Sequence, residues 1–186
     1  MSRPAGPALL LIDVLNDFQF PESGKLLRYA LPAARRIARL RQALKADGIP
    51  VIYVNDNFGR WQSDFKEQVA RCTSSECPGR EIASLLLPQE DDYFVLKPKH
   101  SGFYATPLEV LLGYLGVRDL ILTGFATDIC VVYTANDAYM RDYGLTVVSD
   151  CVAAESLPAN RLALEQMKSR LKARVVKSNS LLKNRS

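Results

Sequence analysis

Cys130 closes the stretch Thr123-Gly124-Phe125-Ala126-Thr127-Asp128-Ile129-Cys130, where the run Asp119-Leu120-Ile121-Leu122-Thr123-Gly124 gives way to a helical pattern. Short, mostly apolar and ended by glycine, that run reads as a buried strand. Thr127 is a candidate N-cap, which sets Cys130 in the first turn of a helix running on through Val131, Thr134, Ala135, Ala138 and Tyr139. There a thiol meets the positive end of the helix dipole and unpaired backbone N–H groups, and both favour the thiolate. A thiolate is the nucleophile of covalent acyl transfer, and the same amides can hold a developing oxyanion. The competing reading is a buried core cysteine that follows a strand. Position alone does not separate the two.

A nucleophilic cysteine needs a group that takes and returns its proton. Histidine is the usual partner, and the chain has a single one, His100, in the loop Lys97-Pro98-Lys99-His100-Ser101-Gly102-Phe103. A carboxylate offers a second route, provided a cation keeps it ionised and favours the thiolate. Asp13 and Lys97 supply such a pair. Asp13 ends the apolar run 7–14 (PALLLIDV), an unusual place for a charge unless it is paired or working. Lys97 ends the run 93–97 (YFVLK), where the ordinary fate of a lysine is solvation.

The elements that must position these residues alternate along the chain. Strands are expected at 7–14, 49–54, 93–97, 118–123, 144–149 and 173–176. An amphipathic helix is expected at 31–47, closed by Gly48, with further helices at 64–70, 80–86, 106–115, 128–142 and 158–171. Strand–helix alternation implies right-handed crossovers and a parallel sheet covered on both faces, an α/β fold. In such a sheet ligands bind outside the C-terminal strand ends. Asp13, Asn55, Asp56, Lys97 and the segment 126–130 all fall on that edge. No Gly-x-Gly-x-x-Gly or phosphate-binding loop follows the first strand, which argues against a dinucleotide or nucleoside-triphosphate site.

A length of 186 residues fits a single domain over 1–186, and 48% hydrophobic with 24% charged residues is ordinary soluble composition. Arg35, Arg36, Arg39, Arg41 and Lys45 crowd one segment, but Ala33, Ile37, Leu40 and Leu44 recur there at helical spacing. These cations read as the solvated face of that helix, and no nucleic-acid partner is expected. The N-terminus shows no apolar signal region and no run approaches membrane-spanning length, so no membrane partner and a cytoplasmic location are expected. Free thiols follow from that location for Cys72, Cys77, Cys130 and Cys151. Cys72 and Cys77 suggest half a zinc site or a redox pair. One histidine and no second close cysteine pair argue against zinc. Cys151 reads as an ordinary buried thiol.

Three motifs occur together: Leu10-Leu11-Ile12-Asp13-Val14-Leu15-Asn16-Asp17-Phe18; Lys97 ahead of Ser101-Gly102-Phe103 and Thr106-Pro107-Leu108; and Thr123-Gly124-Phe125-Ala126-Thr127-Asp128-Ile129-Cys130-Val131. In this order, over roughly 7–176, they resemble the isochorismatase-like cysteine hydrolases. The resemblance implies a three-layer α/β/α sandwich around a six-stranded, mainly parallel Rossmann-like sheet, and a homodimer or homotetramer. It implies an Asp13, Lys97 and Cys130 triad in which Cys130 attacks a carbonyl, Asp13 shuttles the proton and Lys97 tunes both. It also implies a cis peptide at Phe125-Ala126 that aims the amides of Ala126 and Cys130 at an oxyanion.

Departures from the family pattern narrow the chemistry. Nicotinamidases in the family carry a metal held by an aspartate and histidines after the second strand, where this chain reads Val54-Asn55-Asp56-Asn57-Phe58-Gly59-Arg60-Trp61. No metal or other cofactor is expected. Leu15 stands where the family usually has glutamine. Isochorismate cleavage is a vinyl-ether hydrolysis that does not require the cysteine, so Cys130 favours hydrolysis of a small carboxamide or ureido compound. The alternatives are that vinyl-ether reaction and a non-catalytic ligand-binding module. Pocket candidates are Phe18, Asn55, Arg60, Trp61, Phe103 and Phe125, with Tyr104 beside them and Arg60 a possible clamp for a carboxylate. Asn16 and Asp17 read as braces of the loop after the first strand.

Overall fold

The computed structural model describes residues 6–61 and 64–183. Residues 1–5, where the sequence was read for a targeting signal, lie outside the described residues. β1 (Ala8–Ile12) is apolar and buried throughout, because it runs through the middle of a parallel sheet. It pairs with β2 (Val51–Asp56) on one side and β4 (Asp119–Phe125) on the other, so that Leu10 lies opposite both Ile52 and Leu122. With β3 (Tyr93–Lys97), β5 (Gly144–Ala153) and β6 (Arg174–Val176), the strand order is β3-β2-β1-β4-β5-β6, and every pairing is parallel. The chain winds one way from β1 to β3 and the other from β4 to β6. A crevice therefore opens at the carboxyl ends of β1 and β4.

The two-residue period of the strands divides the core. Leu9, Leu11, Val51 and Tyr53 point to one face, where α1 (Ser23–Ala46), α2 (Phe65–Thr73), α3 (Arg80–Leu85) and α7 (Ser178–Leu182) pack. Ala8, Leu10, Ile12, Ile52, Val54 and Val95 point to the other, under α4 (Leu108–Tyr114), α5 (Val132–Tyr139) and α6 (Leu157–Arg170). The result is the expected three-layer α/β/α sandwich. Ile37 and Leu40 of α1 are fully buried, each contributing about 1.5–3 kcal/mol. Among the described residues no helix is long and apolar enough to cross a membrane.

Several elements differ from expectation. α1 begins at Ser23 rather than 31, with Pro32 inside it. Proline reads as a helix start, yet Leu26 and Ala30 continue the buried stripe of Ala33, Ala34, Ile37, Leu40 and Leu44, and burial overrides the local signal. Gly48 does follow the helix in the left-handed conformation, φ 76°, and donates its N–H to Lys45 O at 2.9 Å. β5 runs on to Ala153, and its pairing with β4 shifts register between Leu122 and Gly124. The helix expected at 128–142 is a π turn, Thr127–Val131, followed by α5. α7 was not foreseen; Asp150 holds its start by accepting from Ser178 N at 2.7 Å and Ser178 Oγ at 2.8 Å.

Gly124 sits at the crossing of β4 with β1. Its φ is +113°, and a Cβ there would fall 2.0 Å from Ile12 O. Gly124→Ala must push apart the two strands that carry the crevice, and is expected to destabilise the fold by about 2–3 kcal/mol. Thermal or urea unfolding of the variant measures this, and a wild-type midpoint would contradict the tight crossing.

Candidate active site

Asp13 is the first residue beyond β1 and adopts a left-handed conformation, φ 50°, which aspartate tolerates better than most residues. Its N–H donates to Val54 O at 2.9 Å, so the turn stays tied to the neighbouring strand. The carboxylate is 4% exposed and fully engaged. Oδ1 accepts from Asp56 N at 2.7 Å, and Oδ2 lies 2.8 Å from Lys97 Nζ. Lys97 ends β3 directly opposite Asp56, which ends β2. Its side chain is 0% exposed, and besides Asp13 it reaches Asp56 Oδ2 at 3.5 Å, Lys99 O at 3.1 Å and Cys130 Sγ at 3.6 Å. Cys130 is half-buried, with its Sγ between Lys97 Nζ at 3.6 Å and His100 Nδ1 at 3.9 Å.

The electrostatics follow from burial. Desolvation raises the Asp13 pKa above the usual carboxylate value, with Lys97 opposing it. Burial also works against the charge of Lys97, but Asp13, Cys130 and Asp56 outweigh it and leave the ammonium pKa above its ordinary value. The Cys130 thiol is pushed up by burial and then by the Asp13 charge, and Lys97 only partly offsets this. This corrects the expectation of a thiol lowered by a helix terminus. Thr127 does not cap the turn: Ala126 occupies the cap position, and Thr127 Oγ1 donates to Asn160 Oδ1. Burial thus favours the neutral forms of both the thiol and the carboxyl, and Lys97 opposes it at each.

The peptide Phe125-Ala126 is cis. Ala126 O accepts from the amides of Ile129 and Val131, at 3.2 and 3.1 Å, on either side of Cys130. The loop after Lys97 is clamped to the helix that follows Cys130. Gly102 N donates to Thr134 Oγ1 at 3.0 Å, and Thr134 Oγ1 donates to Cys130 O at 2.7 Å. Ser101 Oγ donates to Asp137 and accepts from Phe103 N. The Ser101-Gly102-Phe103 motif thus sets the height of the loop over Cys130.

The remaining candidates are distributed differently. Phe18, Phe103 and Phe125 are buried in the two cores; Phe103 packs on Tyr143, with Arg141 over its ring. Asn55 is fully buried, and its Nδ2 donates to Leu15 O at 2.7 Å as a brace. Leu15 itself is core. Arg60 and Trp61 stand exposed on the turn after β2, Trp61 by 79%. Asn16 Oδ1 accepts from Phe18 N and Asp17 Oδ1 from Gln19 N, and Arg71 Nε is 3.6 Å from Asp17. Cys72 and Cys151 are buried thiols, each pushed up to about 12 by desolvation.

Sequence reasoning placed Asp56 on the crevice edge without giving it a role, and did not name Gln68. Asp56 gives Lys97 its second carboxylate, and Gln68 Nε2 donates to Asp56 O at 2.7 Å. The Asp56 signal was an acid at a second strand end; Gln68 on α2 carried none. Among the described residues no group of three or more His, Cys, Asp or Glu could hold a metal ion. Asp56 is turned to Lys97 and to Phe58 N, so the donor set does not fit a metal there.

Comparison with known proteins bears on this geometry. The isochorismatase family, described as "Isochorismatase domain", matches residues 7–180. The isochorismatase family protein YaaI of Bacillus subtilis (strain 168), uncharacterized, is 39% identical over 178 residues, covering 96% of this chain and 97% of its own. Ureidoacrylate amidohydrolase RutB of Methylobacterium radiotolerans is 31% identical over 79% of this chain and 67% of its own. The crystal structure of N-carbamoylsarcosine amidase from Thermoplasma acidophilum superposes with a TM-score of 0.71 at 30% identity, over 93% of this chain and 96% of that one. The fold, the family match over 7–180 and the aligned relatives agree: the chain belongs to the isochorismatase family of hydrolases.

Proposed function

We propose that this chain is a cysteine amidohydrolase that cleaves a C–N bond of a small carboxamide or ureido compound, with no step routed through a metal. The observation that carries the reading is the convergence of Asp13, Lys97 and Cys130 at three strand ends, with Lys97 Nζ 2.8 Å from the carboxylate and 3.6 Å from the sulfur. Two relatives support it by name, one an amidohydrolase of ureidoacrylate and one an amidase of N-carbamoylsarcosine.

The chemistry starts from a neutral thiol. Asp13, which Lys97 Nζ joins to the sulfur, accepts the Sγ proton as the sulfur attacks the substrate carbonyl. The transfer leaves the total charge of the buried cluster unchanged, so the desolvation that opposes free ionisation of the thiol does not oppose it. The amides of Ala126 and Cys130 receive the oxyanion, and Asp13 returns the proton to the leaving nitrogen as the C–N bond breaks. Ammonia or an amine departs, and water hydrolyses the Cys130 thioester. Lys97 favours the ionised, accepting form of Asp13 before the attack and after the proton has been returned.

Ammonia release from a panel of small carboxamides and ureides tests the reading. Cys130→Ala and Asp13→Asn are each expected to lower kcat on any accepted substrate by about a thousandfold or more, with the fold intact by circular dichroism. Turnover at the wild-type rate by Cys130→Ala would overturn the nucleophile.

The thiol's upward shift gives a second test with its own sign. Asp13 raises the Cys130 pKa and Lys97 lowers it. Asp13→Asn therefore increases the thiolate fraction at pH 7, and iodoacetamide labelling of Cys130 speeds up about tenfold for each pKa unit recovered. Lys97→Met slows it. Peptide mass spectrometry reads both rates, while Cys72 and Cys151 stay unlabelled until the protein unfolds. Slower labelling in Asp13→Asn than in the wild type would mean that Asp13 already stores the thiol's proton at rest.

A further inference from the structure

The two edges of the sheet are not alike. β6 is three residues long, opens on the exposed Arg174 and is followed by the exposed Lys177, and a short edge flanked by cations resists pairing with another chain. β3 lacks these guards. Tyr93-Phe94-Val95-Leu96 carries no charge and no proline, and the lysine that ends the strand is turned into the sheet towards Asp13. Within the chain β3 pairs with β2 alone. Lys97 O accepts from Asn57 N at 3.0 Å, so the polar backbone groups of Lys97 face β2, and alternation turns those of Phe94 and Leu96 outward. Among the described residues no hydrogen bond reaches these outward groups. Phe94 is 53% exposed although its ring stacks on Phe65 of α2, centroids 4.4 Å apart. With Val69 and Leu87 it walls an apolar groove of about 520 Å³.

We infer that β3 pairs antiparallel with β3 of a second copy of this chain, joining two sheets into one across a two-fold axis at Val95. In that register Phe94 lies opposite Leu96 of the second copy, and such a pair exchanges both of its N–H···O bonds, which satisfies the outward groups of both strands. Opposite residues share a face. Leu96 of each copy therefore covers Phe94 of the other beside α2, and the groove closes from the same side in both copies. Charge selects the occupant. Antiparallel pairing sets the segment before one strand beside the segment after the other, and here those segments are opposite in sign. Glu90 and Asp91 precede β3, Asp91 with 74% of its side chain exposed beside Lys45, and the exposed Lys99 follows it. Counted about Val95, Asp91 falls across from Lys99 on each side of the axis. One chain thus supplies both signs in the order that self-pairing requires. The strand that ends in Lys97 is then held from both sides.

Sedimentation of the full chain tests the pairing. At about 50 µM the wild-type protein is expected at twice its mass of 20.7 kDa. Phe94→Lys sets a charge on the edge and is expected to raise the dissociation constant about a hundredfold or more, with an unchanged circular dichroism spectrum. Lys99→Glu weakens the dimer about tenfold, and adding Asp91→Lys restores it, Lys45 keeping Asp92 as its partner. Val95→Cys reads the axis directly. Its thiols meet across the two-fold at a Cα separation of about 4.5 Å, within disulfide reach, so in a Cys130→Ala background oxidised glutathione links two chains on a non-reducing gel. This link decides the matter even if Phe94→Lys fails to fold. A monomer at about 50 µM overturns the inference. So does a dimer that Val95→Cys does not link, because its contact then lies on another face.

Discussion

Everything at the crevice depends on the ion pair between Asp13 and Lys97. Lys97 is a charged side chain with no exposure at all, beside a core layer of aliphatic and aromatic side chains. Burying a single charge is prohibitive, and removing one partner from a buried pair typically costs about 3–5 kcal/mol. The ammonium is tolerated because Asp13, Asp56 and the Lys99 carbonyl surround it. That arrangement constrains the sheet. Ile12 must pair with Val54 so that Asp13 emerges beside Asp56, and Asp56 must pair with Lys97. A slip of one residue in either ladder would turn a charge into an apolar core, so the register of three strands and the site are fixed together.

Loops at the strand ends cannot satisfy their backbone by regular pairing, and polar side chains do it instead. Gln68 and Asn55 reach from below to Asp56 O and Leu15 O, while Thr134 receives Gly102 and binds Cys130 O from the other helical layer. Thr127 ties the π turn to Asn160 of α6. Each is buried or partly buried, and each would leave an unsatisfied partner if truncated. The rigidity needed to hold the Cys130 thiol and the Asp13 carboxylate around one ammonium comes from these bonds as much as from the sheet.

The Cys130 thiol shows how magnitudes decide between opposed effects. A helix terminus contributes about 0.3–1 kcal/mol towards a negative charge, and one residue's position in a sequence suggests that effect first. Desolvation of a buried anion and repulsion from a nearby carboxylate each reach several kcal/mol. The second set wins here, and the thiol is held up rather than down. A cysteine so placed resists adventitious alkylation and oxidation, which require the thiolate, while it can still pass its proton to Asp13 when a carbonyl is within reach. In the proposed mechanism, suppressed free reactivity and catalysis are compatible because the neighbour that disfavours the anion is the residue proposed as base.

What was legible in the sequence were the residues that break a pattern. An aspartate after five buried apolar residues, a lysine ending another strand and a cysteine just past a glycine each contradict their surroundings, and each stands in the crevice. Asp56 escaped selection because it stands among Asn55 and Asn57, where polarity is unremarked. The aromatic candidates failed in the opposite direction: Phe18, Phe103 and Phe125 lie near the strand ends in sequence, but a strand end has a core side and a crevice side. Alternation places Phe125 in the core once β4 runs to that residue rather than stopping at 123. The length of an element, decided by packing against distant partners, therefore determines which face its last residues present, and local sequence does not carry that length. His100 is a further case: its Nδ1 comes within 3.9 Å of Cys130 Sγ across two segments that Gly102 and Thr134 tie together, a contact that sequence spacing does not carry.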